Sequence, residues 1–371
     1  MKNFNKERII FISCSLIFFI ANLDSTIVSS VLPVIAKEYQ VNVLSLNVLI
    51  IFFMVAYALA ILFVDFLVIS YGVKTVFLIA CIAFAISSLG CGLVNSINGL
   101  VIMRTLQGVS AGFFTPIARS ITVKLSSHDK LATNLSNVQM LGMLGQVLGP
   151  VIGSLLTVYL NWKYIFFINV PLCVVVFITI LYALNATIED KKEINKFDYR
   201  GFTYIAIIII SVLYSSLSIG SNLFIYNNQV IFTLVVICAI CGVLLHKHVI
   251  NYRKKLIIDF PLFQQNKLFK IYSLVSFISR QCTGAIYFII LMIFSLIYQV
   301  STIKLSYLLL VYGLGIWVSK IFMNFWLKKI TADKLMNINL SSLIWLVPCG
   351  IFIMIFTKVV FLQFIFIFLL G

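Results

Sequence analysis

Residues 9–33 read IIFISCSLIFFIANLDSTIVSSVLP, 25 residues with a single charge, Asp24. About 20 predominantly apolar residues are enough to cross the hydrocarbon core of a bilayer as an α-helix, so the stretch reads as a membrane span. It exceeds the roughly 7–15-residue apolar core of a cleaved signal peptide, and no small-residue cleavage site follows it. Similar stretches recur at about 46–69, 75–95, 98–121, 131–159, 164–185, 201–221, 229–247, 270–299, 303–326 and 336–357. A last one starts near 359 and holds only 13 residues before the sequence stops, so it reads as cut in mid-helix. The expected fold class is all-α, a polytopic membrane protein of about 12 spans with the last one incomplete.

Composition agrees. Of 371 residues, 62% are hydrophobic and 10% charged, against about 25% charged in soluble domains. The net charge of +16 invites a nucleic-acid reading. Its placement argues against one, because the charges sit in short clusters between apolar runs rather than along one basic face. With the N-terminus placed in the cytoplasm, 20 Lys and Arg fall on that side and 4 on the other, with Arg104, Arg280 and Lys320 inside apolar segments. So steep an asymmetry is the positive-inside signal of a multi-pass protein with its N-terminus in the cytoplasm; the expected location is the bacterial cytoplasmic (inner) membrane. The eight cysteines all lie in apolar segments and read as small hydrophobes, the C-x-x-C at Cys238 and Cys241 included.

Two longer polar stretches, 186–200 and 246–268, divide the chain. The expected organisation is an N-terminal six-helix bundle over 1–185, linkers with an extra two-helix hairpin over 186–268, and a partial C-terminal bundle over 269–371.

Charges at membrane depth are costly and mark pathways, relays or paired clamps. Asp24 is the one acid well inside a span, with Asp65 at a span end. Burial favours the neutral form of a carboxyl, which suits a proton carrier; the competing reading is a hydrogen-bond anchor beside a helix break at Pro33. Arg104 and Gln107 are three apart and share a helix face. Arg104 needs an acceptor, whether a carboxylate, backbone carbonyls or an anionic substrate, and a purely structural clamp is the alternative. Gly108 and Gly112 allow close helix contact, with Pro116 further along. The run LGMLGQVLGPVIGS holds Gly142, Gly145, Gly149, Pro150 and Gly153, and spacings of three and four put its glycines on one stripe, a face on which another helix can rock. Gln139, Gln146 and Arg280 are candidates for a substrate cavity, with lipid-headgroup snorkelling as the alternative for Arg280 and the favoured reading for Lys320.

These segments resemble the major facilitator superfamily, in particular its fourteen-span drug–proton antiporter family. LDSTIV followed by LP is similar to that family's first-helix motif, with Asp24 at the acid position. Arg104, Gln107 and Gly108 match its R-x-x-Q-G, Gly149 to Gly153 its GPVIG, and NWKYIFFINVP, with Trp162, Phe166, Asn169 and Pro171, its entry to helix six. The loop DFLVISYGVKT keeps Gly72 and Lys74 of the family's second-to-third-helix motif, but Asp65, Ile69, Ser70 and Val73 replace its Gly, Asp and Arg positions. The resemblance implies a secondary transporter that exports small amphipathic compounds by alternating access. Protons would be taken up at Asp24 and coupled to conformation through Arg104 and Gln107. The expected partners are membrane lipid, a small-molecule substrate and protons, with no nucleic acid and a monomeric state. No cofactor or metal is expected, and no clustered His, Cys or carboxylate set suggests an enzyme. Two other readings stay open: an exporter of a specific metabolite such as a siderophore, and a degenerate, truncated membrane protein that does not transport.

Overall fold

The computed structural model describes residues 2–184, 197–220, 228–251 and 265–278, together with 307, 310–315, 317 and 318. Most of the expected ninth to twelfth spans, the middles of both polar linkers, Arg280 and Lys320 lie outside the described residues.

The described elements are helical: α1 (Lys2–Tyr39), α2 (Asn47–Tyr71), α3 (Val73–Leu93), α4 (Ile97–Leu125), α5 (Leu131–Tyr159), α6 (Tyr164–Phe167), α7 (Asn169–Ala183), α8 (Tyr199–Gly220) and α9 (Asn228–Asn251). Among the described residues, seven helical stretches are long and apolar enough to cross a membrane. In hydrocarbon every backbone polar group must find its partner within the protein, and a helix does so within one segment. The chain is an integral membrane protein.

The first span is longer than its sequence suggests. Pro33 does not end it; α1 continues to Tyr39. Val31, Leu32, Ile35 and Ala36 are buried on either side of the proline, in one cluster with Trp162 and Phe166. Proline costs the helix one donor, whereas ending the helix at membrane depth would orphan a whole turn of backbone groups. Asp24 therefore sits in mid-helix, and no helix break is available for it to anchor.

Lipid tails are as apolar as the helix surfaces, so close packing has to hold the helices together. Two glycine stripes allow it. Gly108 and Gly112 of α4 face α2, where an added Cβ at Gly112 would lie 2.6 Å from both the Tyr57 carbonyl oxygen and the Ala60 methyl. Gly142, Gly145, Gly149 and Gly153 of α5 lie against α1, and an added Cβ at Gly142 would meet Phe18 Cβ at 3.0 Å. The sequence suggests this second stripe as a rocking face between bundles; the structure seats it on α1. Helix α3 packs between α4 and α7, and Phe77, Phe84 and Phe114 fill the space between them.

Gly72 alone separates α2 from α3, at φ 83° and ψ 150°. Such backbone is essentially restricted to glycine. Gly72→Ala is expected to cost about 1–3 kcal/mol, read as a lower melting temperature of the purified protein in detergent.

Helices α8 and α9 form a hairpin beside α2. Phe63 and Phe66 of α2 meet Phe197, 4.9 and 5.1 Å between ring centroids, at the entry to α8. Asp198 accepts a hydrogen bond from the Gly201 amide at 2.9 Å, satisfying a donor of the first turn. The same Oδ1 lies 2.9 Å from His248 Nε2 of α9, which fastens the two ends of the hairpin.

Candidate functional site

Asp24 lies near the middle of the span Lys6–Tyr39 and is completely buried. Three donors converge on it. Arg104 Nη1 donates to Oδ2 at 2.6 Å, Gln107 Nε2 to Oδ1 at 2.9 Å, and Asn169 Nδ2 to Oδ1 at 2.8 Å. Arg104 and Gln107 are also joined to each other, Nη1 donating to Oε1 at 2.8 Å. That bond follows from their three-residue spacing on one face of α4. From α3, Ser88 Oγ accepts from Gln107 Nε2 at 2.7 Å, and Cys91 Sγ donates to Gln107 Oε1 at 3.7 Å.

Four helices thus meet at one carboxylate. Asp24 comes from α1, Ser88 and Cys91 from α3, Arg104 and Gln107 from α4, and Asn169 from the start of α7. None of these side chains is more than 1% exposed. The short helix α6 ends one residue before α7, and that break at Ile168 brings Asn169 into the first turn of α7, against Asp24. Pro171 follows in the same turn, where the missing N–H has no helical carbonyl to lose.

The electrostatics follow from the desolvation. A buried ion pair is sustained only with good geometry and extra hydrogen bonds, and Asp24 receives two neutral donors besides Arg104. The guanidinium lies over two rings, its Cζ 4.2 Å from the centroid of Phe53 and 5.8 Å from that of Phe166. Facing a ring π-cloud partly offsets the lost hydration of the cation. Two buried polar atoms of the cluster have no hydrogen-bond partner among the described residues: Arg104 Nε, a donor, and Asn169 Oδ1, an acceptor.

A second polar set closes the far end of α1. Trp162 Nε1 donates to Glu38 Oε2 at 2.5 Å, Lys163 Nζ to Asn95 Oδ1 at 3.0 Å, and the Tyr39 hydroxyl to the Val94 carbonyl at 3.4 Å. These contacts tie the end of α1, the α3–α4 connection and the α5–α6 connection to one another.

A cluster of intramembrane charge shared between the first and fourth spans, on a bundle of this topology, is the arrangement that the sequence resemblance implies. The pattern described as Major Facilitator Superfamily matches residues 14–371. The chain belongs to the major facilitator superfamily. Its curated relatives include the "Putative multidrug resistance protein MdtD" of Salmonella dublin and of Salmonella typhi, each 32% identical over 191 residues. That match takes in 51% of this chain and 40% of the relative, so the chain spans about two fifths of the length of the relatives it matches. Among solved structures, the proton:xylose symporter XylE bound to 6-bromo-6-deoxy-D-glucose aligns at a TM-score of 0.54 and 14% identity, over 88% of this chain and 70% of that one. The partially occluded inward-open XylE from E. coli aligns at 0.55 and 12%, over 98% of this chain and 83% of that one. These two likenesses are likenesses of fold.

Within this superfamily member, the structure brings Asp24, Arg104 and Gln107 into one network. Gly108 and Gly112 lie on the face that lets α4 approach α2, and Gly145, Gly149 and Gly153 on the face that lets α5 approach α1; Pro150 is buried within α5. Gln139 and Gln146 are elsewhere. Gln139 is half-buried and Gln146 exposed, the backbone carbonyl of Gln146 accepting from Thr26 Oγ1 at 3.2 Å. Arg280 lies outside the described residues. Sequence reasoning missed Ser88 and the contact of Asn169 with Asp24. Ser88 has no signal of its own among the small residues of α3. Asn169 does have one, an uncharged but strongly polar side chain at the start of an otherwise apolar span.

Proposed function

We propose that the chain is a secondary transporter of the cytoplasmic membrane, with its N-terminus in the cytoplasm, that exports small amphipathic compounds in exchange for protons. The observation that carries this reading is Asp24: a carboxylate fully buried near the middle of the first span and held by Arg104 from a different helix. Taking up a proton turns the carboxylate into a neutral acid and removes the charge that Arg104 is matched to. The contact between α1 and α4 then loses its electrostatic tie, and the two helices are free to adopt the arrangement of the other access state. Releasing the proton restores the pair. Residues 1–185 would act as one bundle, 269–371 as part of its partner, and substrate would lie between them near the midplane. Asp24 has no exposed surface in the paired state, which supports a role in carrying protons rather than in directly pairing with a cationic substrate. The names of the MdtD relatives support a drug-like substrate; a secreted metabolite such as a siderophore fits the same chemistry.

The test uses the full-length purified protein in liposomes, with an imposed proton gradient and ethidium as a fluorescent amphipathic probe. Wild type is expected to move the dye only with the gradient, and Asp24→Asn to lose at least about ten-fold of that rate, equivalent to a single lost interaction of some 1.4 kcal/mol. Unchanged gradient-driven movement in Asp24→Asn would remove Asp24 as the carrier. No gradient-dependent movement of ethidium or of a siderophore by wild type would favour the non-transporting reading.

A further inference from the structure

Asp24 is surrounded by donors. That suits a carboxylate but not a carboxylic acid, whose O–H must itself find an acceptor or be left buried and unpaired. Resting on the reading of Asp24 as the proton site, we infer that Asn169 is the side chain that changes role on protonation: it donates to the Asp24 carboxylate, then turns its amide to accept the proton-bearing oxygen of the Asp24 acid.

The neighbours leave little choice. On α4, Arg104 has only donors, and Gln107 Oε1 is already engaged by Arg104 Nη1 and Cys91 Sγ. On α3, Ser88 Oγ accepts from Gln107. On α2, Phe53 offers a ring face to Arg104 and nothing to Asp24. Helix α5 meets α1 along its glycine stripe, through Phe19, Leu23, Thr26 and Ile27 rather than Asp24. Arg104 is the one charged group among the described residues in contact with Asp24. Asn169 Oδ1 is the side-chain acceptor of this cluster that has no partner among the described residues, and it sits on the same amide whose Nδ2 is 2.8 Å from Asp24 Oδ1. A half-turn about the last side-chain torsion exchanges Nδ2 and Oδ1, and that torsion is broad and roughly two-fold in asparagine. The balance is simple. One proton arrives on Asp24, the bond from Asn169 Nδ2 to Asp24 Oδ1 is broken, and an O–H···O bond from the Asp24 acid to Asn169 Oδ1 replaces it; Nδ2 takes the place of the unpartnered Oδ1, and no other group changes charge. Asn169 opens α7 just after the break from α6, so the exchange also gives the first turn of α7 a sensor of the charge on α1. It is a positioning residue: it acts through Asp24 and carries no proton of its own.

Infrared difference spectroscopy on the full-length purified protein, acid minus alkaline, separates this inference from the one it rests on. Wild type is expected to show a carboxyl band that vanishes in Asp24→Asn. Beside it, a side-chain amide carbonyl band should move to lower wavenumber on acidification, because Asn169 Oδ1 gains a hydrogen bond. That amide band should respond to isotopic labelling of asparagine and be absent from Asn169→Ser. A carboxyl band without the amide band would overturn the role of Asn169 and leave Asp24 as the proton site. Absence of both would overturn both. As a second readout, Asn169→Val is expected to lose about ten-fold of gradient-driven transport through one unmet buried hydrogen bond. Asn169→Ser, whose hydroxyl both donates and accepts, is expected to recover part of it. Equal activity of the two variants would count against the exchange.

Discussion

Arg104→Ala is expected to cost about 3–5 kcal/mol of stability, the penalty for leaving one member of a buried ion pair without its partner. Asp24 would keep Gln107 and Asn169 as donors, but its charge would be uncompensated at zero exposure. The ring faces of Phe53 and Phe166 would also lose the cation they surround. Denaturation of the purified protein in detergent reads the loss. The decisive comparison is with Asp24→Asn combined with Arg104→Gln. Replacing both charges removes the unpaired ion, so the double variant should be more stable than Arg104→Ala alone. Arg104→Ala matching wild type would mean that the pair contributes nothing to holding α1 against α4.

Gly145→Val is expected to be the most damaging change on the glycine stripes. A Cβ at this position would fall on the backbone carbonyl oxygen of Phe19 and within 3.1 Å of the Leu23 amide nitrogen. Neither atom belongs to a side chain that can turn away, so α1 and α5 have to separate. Overpacking in a well-filled core costs about 1–3 kcal/mol, and a β-branched side chain against backbone lies at the upper end. Between lipid-embedded helices no hydrophobic term offsets the loss of close contact. The consequence extends past stability, because Leu23 is next to Asp24, and a shift of α1 there moves the carboxylate away from donors on α4 and α7. Transport is therefore expected to fall even in protein that remains folded and in the membrane. Gly242 of α9 is the matched control: nothing lies within 4 Å of a Cβ added there, and Gly242→Ala should leave melting temperature and transport unchanged. Similar losses at both positions would show that contact with α1 is not the cause.

Much of this molecule is legible along the chain. Recurrent apolar stretches long enough to cross a bilayer dictate a helical membrane protein, because hydrocarbon leaves a backbone few other ways to satisfy its polar groups. Asp24 and Arg104 announce themselves because a charge in an apolar run is too costly to be incidental. Gln107 shares Arg104's face by spacing alone, and the glycine stripe of α5 is visible as a repeat of threes and fours.

What the tertiary structure decided is who meets whom. Asp24 and Arg104 are 80 residues apart, and Asp24 and Asn169 are 145 apart. Whether they face one another depends on the rotation of each helix about its axis and on the bundle's neighbour order, and neither is set by local pattern. Seating the α5 stripe on α1 is a choice of the same kind, since a smooth face fits any helix that comes close. So is the continuation of α1 past Pro33, which depends on burial against Trp162 and Phe166 that no local signal records. Cost per residue is a property of the sequence, and it marked the charged groups. Compensation of that cost is a property of the fold, and it takes three further helices to surround one carboxylate.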